Sequence, residues 1–163
     1  LAPLRNGTSC DWRELRSSLE CVGWHVCKYG TRYAALEPLS QGFASVFGSV
    51  GRDAARGLSL RMDHGAQYLS GHLLNQLRDW GVTPSFAFVE QPQTNGVAER
   101  SNRTLKDQAI HGRVFRNVKE VRAAVGAFIA RYNCEWRVEK NRFLSPLEIR
   151  QQWVYQASLA RVA

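Results

Sequence analysis

The sequence LSLRMDHG, residues 58–65, gives the strongest indication of the fold. Apolar and polar side chains alternate from Leu58 to Met62, and this period of two residues is typical of a β-strand with one buried face. Asp63 follows directly, so we expect it at the carboxyl end of the strand, where open α/β sheets place ligands. The sequence therefore predicts a strand that ends in a carboxylate.

The segments on both sides of this strand show strand and helix patterns in turn. Further strands are expected over residues 21–27 and 85–89. Helices are expected over residues 33–47, 71–80, about 97–110, 118–132 and from Pro146 onward, because apolar residues recur there at helical spacing. Ser70 is placed to cap the second helix, and Gly48 and Gly81 are expected to end the first and second helices. This order predicts a layered α/β domain whose sheet is at least partly parallel.

The composition indicates one globular domain. The chain has 163 residues, 44% of them hydrophobic, and no apolar run approaches the roughly 20 residues that span a bilayer. Its first five residues lack both a long apolar stretch and an initiator Met, which is typical of a fragment or a processed product. The four cysteines are scattered and form no zinc-type cluster, so we expect buried thiols in a reducing, cytoplasmic setting, nucleoid-associated in a bacterium.

Positive charge is concentrated between residues 100 and 122, in a chain whose formal net charge is +8. The basic residues of this stretch are Arg100, Arg103, Lys106, Arg113, Arg116, Lys119 and Arg122, against Asp107 and Glu120. Clustered cations suit a phosphate backbone, whose binding is largely electrostatic and sensitive to salt. The alternative is an ordinary solvated helix face.

Two blocks of sequence resemble a known family. DHGAQY, residues 63–68, and PQTNGVAERSNRTLK, residues 92–106, resemble the catalytic core of the integrase and transposase superfamily, especially insertion-sequence transposases with a retroviral-type core. Thirty-five residues separate Asp63 from Glu99, and the pair of blocks at this separation makes the resemblance specific. Tyr132-Asn133 and the segment 145–148 resemble the closing pattern of that family, so the resemblance runs from about Glu20 to Trp153.

The resemblance implies a ribonuclease H-like layered α/β fold and a triad of acidic residues that binds two magnesium or manganese ions. The second carboxylate of the triad corresponds to Asp63 and the third to Glu99. The implied activity is DNA transposition by metal-dependent phosphodiester cleavage and strand transfer, with mobile-element ends and target DNA as partners, self-association, and no membrane. The residues assigned to DNA binding are Asn95, Arg100, Arg103, Lys106 and Arg113.

The chain departs from the family pattern at its start. The first carboxylate of the family lies in a strand that precedes a second and a third strand, and residues 21–27 resemble the third. Only nine residues separate Asp11 from Cys21, too few for the rest of one strand, a turn and a whole second strand at about 3.3 Å per residue. We therefore expect an atypical segment over residues 1–20, a partial core over 21–155 that lacks the first two strands, and a tail over 156–163.

The two acidic residues also have simpler interpretations. Asp63 could close a turn by accepting backbone amide protons ahead of Gly65. Glu99 could be a first-turn glutamate that the helix dipole favours. For the whole chain, the alternatives to an active transposase core are a remnant that only binds DNA or a full-length partner, and a ribonuclease H-like nuclease that acts alone.

Overall fold

The computed structural model describes residues 18–31, 33–86 and 96–160. The strands are β1, Ser59–Met62, and β2, Thr83–Phe86. The helices are α1, Glu37–Phe47; α2, Gly71–Asp79; α3, Gly96–Leu105; α4, Val118–Glu135; and α5, Pro146–Ala160. A π-helical turn, Lys106–Ile110, continues α3, and a 3-10 turn, Glu139–Asn141, lies between α4 and α5.

The sheet of the described residues consists of β1 and β2, which pair in parallel. Leu60 lies opposite Pro84 and Met62 opposite Phe86, and α2 connects the two strands. The predicted parallel pairing is therefore confirmed. The second strand begins at Thr83, two residues earlier than expected, and the expected residues 87–89 lie outside the described part of the chain.

Local signals fix most helix ends. The Ser70 side chain accepts a hydrogen bond from the Leu73 amide at 3.4 Å, which caps α2 as the sequence predicts. Gly48 ends α1 at φ 74°, a left-handed conformation that a side chain would oppose. The first predicted helix begins later than expected, at Glu37, because residues 33–36 form a turn and Pro38 suits the first helical positions.

The buried apolar side chains form two clusters. The first joins α1, β1 and α2, and its fully buried members are Leu39, Phe43, Leu60, Leu73 and Leu77. The second surrounds α4 and the π-helical turn, and its members are Val26, Ala109, Val121, Val125, Phe128 and Ile129. The apolar stripe predicted for the helix that begins at Val118 is thus confirmed.

The strand predicted over residues 21–27 is wrong, because this segment belongs to neither strand of the described sheet. It packs between α1 and α4 and bonds side chains instead: the Trp24 amide donates to Gln41 Oε1 at 3.4 Å. A Cβ added to Gly23 would lie 1.8 Å from the Pro38 carbonyl oxygen, so only glycine allows this close approach. The apolar pattern was therefore correct about burial and wrong about pairing.

Residues 18–20 are tied to the carboxyl-terminal half of the chain. Ser18 is buried, and its carbonyl oxygen accepts from Asn141 Nδ2 at 2.8 Å. Glu20 lies 2.8 Å from Arg150 of α5. Asp11 lies outside the described residues, and the division of the chain at residues 20 and 155 stays a prediction.

Candidate functional site

Asp63 stands directly beyond β1, at the carboxyl edge of the sheet, as the sequence predicts. Its half-buried side chain turns back on the loop, where Oδ1 accepts a hydrogen bond from the Gly65 amide at 2.9 Å. Oδ2 accepts no hydrogen bond from any residue that the structure describes. One oxygen thus orients the carboxylate, and the other is available to a ligand.

Gly65 lies where the side chains of Asp63 and Gln67 pack closely against the loop. A Cβ at this position would lie 2.9 Å from Asp63 Oδ1 and 2.8 Å from Gln67 Nε2. These distances are shorter than ordinary contacts of a Cβ atom, so a larger residue would displace the Asp63 carboxylate. The Asp-x-Gly-x-Gln spacing therefore has a physical cause in the shape of the loop.

The loop after β1 also reaches the end of the neighbouring strand. The His64 ring lies over Phe86, the last residue of β2, with 5.6 Å between the ring centroids. Since β1 and β2 are parallel, Asp63 and the chain that leaves Phe86 begin at the same edge of the sheet. This contact holds the Asp63 loop beside the end of β2.

Glu99 lies in the first turn of α3, as expected, and is exposed. Its carboxylate has no hydrogen bond or ion pair with the residues described here. Residues 87–95 connect β2 to α3 and lie outside the described ranges, and Asn95 is among them. That Asp63 and Glu99 share one site stays a prediction.

The basic side chains selected from the sequence follow Glu99 along the helix. Arg100, Arg103 and Arg113 are exposed, and Lys106 is half-buried. None of the four forms an ion pair with an acidic side chain in ranges 18–31, 33–86 and 96–160. Their charge is therefore available to an external anion.

The π-helical turn keeps the end of this helix attached to the core. The His111 amide donates to the Lys106 carbonyl at 2.7 Å, one residue further than in an α-helix. Ala109 is buried in the second cluster, and Ile110 packs against it. His111 Nδ1 also lies 2.9 Å from Asp107 Oδ1, so one of the two acidic residues in the basic stretch already has a partner.

Two basic residues of this stretch have side-chain contacts with the backbone: Arg113 Nη2 donates to the Gln108 carbonyl at 3.4 Å, and Arg122 contacts a segment distant in the sequence. Arg122 Nε donates to the Val26 carbonyl at 2.9 Å and holds the 21–27 segment on α4. Glu120 is likewise engaged, since its Oε2 accepts the Arg116 amide at 2.9 Å. Only part of the basic stretch is therefore free to bind phosphate.

Glu20 is a buried carboxylate that no local sequence pattern indicates. Its side chain is 5% exposed and lies beside Arg150. Burial raises the pKa of Glu20, and the nearby Arg150 guanidinium partly opposes this effect. A Glu at the edge of a polar segment gives no sequence signal of such burial.

The donor chemistry of Asp63 and Glu99 fits a hard divalent cation, because magnesium and manganese prefer carboxylate oxygens. Among the residues that the structure describes, no group of three His, Cys, Asp or Glu side chains is placed to hold a metal ion. The structure thus offers two candidate ligands on separate elements. In the described ranges, no helix is both long enough and apolar enough to cross a membrane.

Comparison with known proteins agrees with this arrangement. The family model of the integrase core domain matches residues 80–137, which include Glu99 and the basic stretch. No curated protein sequence matches the chain significantly. The crystal structure of the catalytic core domain of BIV integrase is similar to this chain, with a TM-score of 0.55 and 20% identity over 82% of this chain and 80% of that one. Residues 80–137 therefore resemble an integrase core domain, and the chain has a ribonuclease H-like layered α/β fold similar to that of a retroviral integrase core.

Proposed function

We propose that this chain acts on DNA as the core of a transposase or integrase, and that Asp63 and Glu99 supply two carboxylates for phosphodiester cleavage and strand transfer. One observation carries the proposal. Glu99 opens α3, and Arg103 and Lys106 follow it at four and seven residues, inside the segment that the integrase core domain matches. These spacings place a carboxylate and two cations along one helix face.

In the proposed reaction, the basic face positions the DNA. Arg103 and Lys106 bind phosphates next to Glu99, while Asp63 approaches the scissile bond from the carboxyl edge of the sheet. A bound magnesium or manganese ion would supply activation of the attacking oxygen and stabilisation of the leaving oxygen. We expect the carboxyl groups of Asp63 and Glu99 to lie within roughly 10 Å of each other, as two ions about 3.5–4 Å apart require.

The metal site that these two residues form is expected to be weak. Two carboxylates give a cation few protein ligands, so we expect magnesium affinity in the millimolar range, the low end for oxygen sites. A loosely held cation neither orients the nucleophile nor fixes the leaving oxygen. We therefore expect no strand transfer from this chain alone on supplied DNA ends.

A second candidate function is DNA binding without catalysis, alone or beside a full-length transposase. The observation that favours it is the hydrogen bond from the Gly65 amide to Asp63, because this bond gives the carboxylate a structural role that needs no metal. In this case the basic helix would bind DNA, and Glu99 would only stabilise the first turn of α3.

DNA binding is tested by the salt dependence of affinity for a labelled duplex. We expect affinity to fall on the order of a thousandfold between about 50 and 200 mM salt. A double Arg103→Ala and Lys106→Ala variant should bind more weakly and reduce the salt slope by roughly two. The matched control removes two exposed arginines elsewhere, Arg52 and Arg78, and should bind as the wild type does. Salt-independent affinity would show that the basic stretch is only a solvated face.

Catalysis is tested by a cleavage assay in manganese, with wild type compared with Glu99→Gln. The control is Glu135→Gln, which changes an exposed glutamate at the end of α4. Cleavage that Glu99→Gln alone abolishes would establish the enzyme and overturn the expected inactivity of the isolated chain. DNA binding with no cleavage in either protein is the result expected of the isolated chain, and manganese binding that Glu99→Gln does not weaken would then favour the second candidate function.

A further inference from the structure

The loop between the π-helical turn and α4, residues 111–117, has an ordered path that we call the tip loop. Gly112 takes a positive φ of 73°, which turns the chain away from the helix. The Arg113 amide then donates to the Ile110 carbonyl at 3.2 Å. These two features fix the direction in which the loop leaves α3.

The far side of the tip loop is fixed as well. Phe115 packs against the second apolar cluster together with Ile110 and Val118. Asn117 caps α4 by accepting the Glu120 amide at 3.1 Å, and the Arg116 amide donates to Glu120 Oε2 at 2.9 Å. The loop is thus anchored on both sides by packing and hydrogen bonds.

Val114 lies between these anchors with its side chain in solvent. It is 94% exposed, the highest value among the exposed large apolar side chains of the described residues. Its neighbours Arg113, Arg116 and Lys119 are exposed, and none of them has an ion pair with a residue in the described ranges. No acidic residue occurs between Gly112 and Lys119. The tip loop therefore presents an exposed apolar side chain between Arg113 and Arg116, with Lys119 following at the start of α4; the Arg113 guanidinium also donates to the Gln108 carbonyl at 3.4 Å.

We propose that the tip loop contacts duplex DNA, with Arg113 and Arg116 on phosphates and Val114 against sugar and base edges in a groove. The inference rests on the proposed function and names a second element of the same DNA surface. Covering an alkyl side chain with sugar or base atoms removes apolar surface from water and therefore favours binding. Arginines beside it bind the phosphates and so position the groove over the side chain.

The chain geometry allows one duplex to reach both α3 and the tip loop. At about 1.5 Å per residue through the helical turn and at most about 3.5 Å per residue beyond it, Val114 lies within roughly 20 Å of Lys106. Measured along the duplex axis, that length corresponds to about six phosphates of one strand. The cations of α3 and of the tip loop can therefore follow a single backbone.

The charge of the tip loop favours DNA over a protein partner. Arg113, Arg116 and Lys119 carry three positive charges against the single carboxylate of Glu120, so the region keeps a net positive charge that closely spaced phosphates would neutralise. A protein would need an equally dense acidic patch around an apolar hollow. Protein contact is therefore the outcome that the experiment must separate from DNA contact.

The experiment measures duplex affinity of the full chain by fluorescence anisotropy, at one salt concentration and across a salt series. Val114→Thr keeps the shape of the side chain and removes apolar surface, so we expect affinity to fall roughly three- to tenfold with an unchanged salt slope. Arg113→Ala should lower affinity and reduce the slope by about 0.9. Val154→Thr is the matched control, because Val154 is 65% exposed on α5. Thermal unfolding should be the same for wild type and both valine variants.

The outcomes distinguish this inference from the proposed function. Wild-type affinity in Val114→Thr, together with weakened binding in Arg103→Ala, would overturn the tip-loop contact and leave the proposed function intact. An equal loss in Val154→Thr would also overturn it. If Val114→Thr changed the sedimentation of the free protein but not DNA binding, the tip loop would be a protein contact. No duplex binding by the wild type at low salt would refute both proposals together.

Discussion

Asn133 of α4 exchanges two hydrogen bonds with the backbone of Cys21. Its Oδ1 accepts the Cys21 amide at 3.0 Å, and its Nδ2 donates to the Cys21 carbonyl at 2.9 Å. A side-chain amide has the donor and acceptor of a peptide group, so Asn133 takes the place that a neighbouring strand would occupy. Tyr132 adds a third bond, from its hydroxyl to the Leu19 carbonyl at 3.2 Å. The Tyr-Asn pair of the sequence pattern thus fastens the 18–27 segment to α4.

Asn133→Ala should lower the free energy of unfolding by about 2 kcal/mol, because it leaves a partly buried amide and carbonyl without partners. Urea denaturation measures this change. Asn75→Ala is the control, since Asn75 is exposed and only accepts from Arg78 on the same helix; its effect should stay within about 0.5 kcal/mol. A midpoint for Asn133→Ala equal to that of the control would contradict a stabilising role.

Ser145→Ala should destabilise the protein by about 1 kcal/mol. Ser145 and Glu148 form a reciprocal cap at the start of α5: the Ser145 amide donates to Glu148 Oε2 at 2.7 Å, and the Glu148 amide donates to Ser145 Oγ at 3.3 Å. The substitution removes one of these bonds, and chemical denaturation reports the loss. Ser49→Ala, at an exposed position, is the control and should leave the midpoint unchanged. Equal midpoints for both variants would mean that the cap does not stabilise the fold.

The sequence predicted elements whose signals are local. The alternation in 58–62 gave β1, the Ser70 cap gave the start of α2, and the stripe through Val121 and Phe128 gave the buried face of α4. The strand predicted over residues 21–27 is wrong because apolar content indicates burial, whereas a strand also needs a neighbouring backbone to pair with. Here that partner is a side chain 112 residues away, which no local pattern encodes.

The candidate site was predictable to a similar extent. The position of Asp63 after β1 and of Glu99 in the first turn of α3 follow from local patterns and are confirmed. The structural contact of Arg122 and the burial of Glu20 depend on residues distant in the sequence, Val26 and Arg150. Counting charges along a helix therefore overstated the cations available to DNA.

Glu20 predicts a pH dependence of stability. Because burial raises its pKa, the folded protein binds more protons than the unfolded chain between the ordinary value of 4.5 and the raised folded value. The free energy of unfolding contributed by Glu20 therefore falls as pH rises through this interval. Glu20→Gln removes the titration, so the loss of stability between pH 5 and pH 7 should be smaller than in the wild type.

The measurement for Glu20 is the difference between urea denaturation curves at the two pH values. Carboxylates with lowered pKa values, such as Glu148 and Asp53, titrate in both proteins and cancel in the comparison. Glu37→Gln changes an exposed glutamate and should keep the wild-type pH dependence. If the free energy of unfolding of Glu20→Gln depended on pH as that of the wild type does, the buried carboxyl would not be the source of the pH dependence.

The two roles of Asp63 can be separated by two substitutions. Asp63→Asn retains an oxygen for the Gly65 amide and removes the charge, so stability should change by less than about 0.5 kcal/mol while manganese affinity falls. Asp63→Ala removes the turn bond as well and should cost about 1 kcal/mol of folding free energy. Urea denaturation measures the first quantity, and manganese titration followed by water-proton relaxation measures the second.

If Asp63 and Glu99 hold the same ion, then Asp63→Asn combined with Glu99→Gln should weaken manganese binding by less than the sum of the single effects, since either change alone already disrupts the site. Asp79→Asn, at an exposed position on α2, is the control and should leave manganese binding unchanged. Strictly additive losses, or unchanged affinity in both single variants, would show that the two carboxylates do not form one metal site.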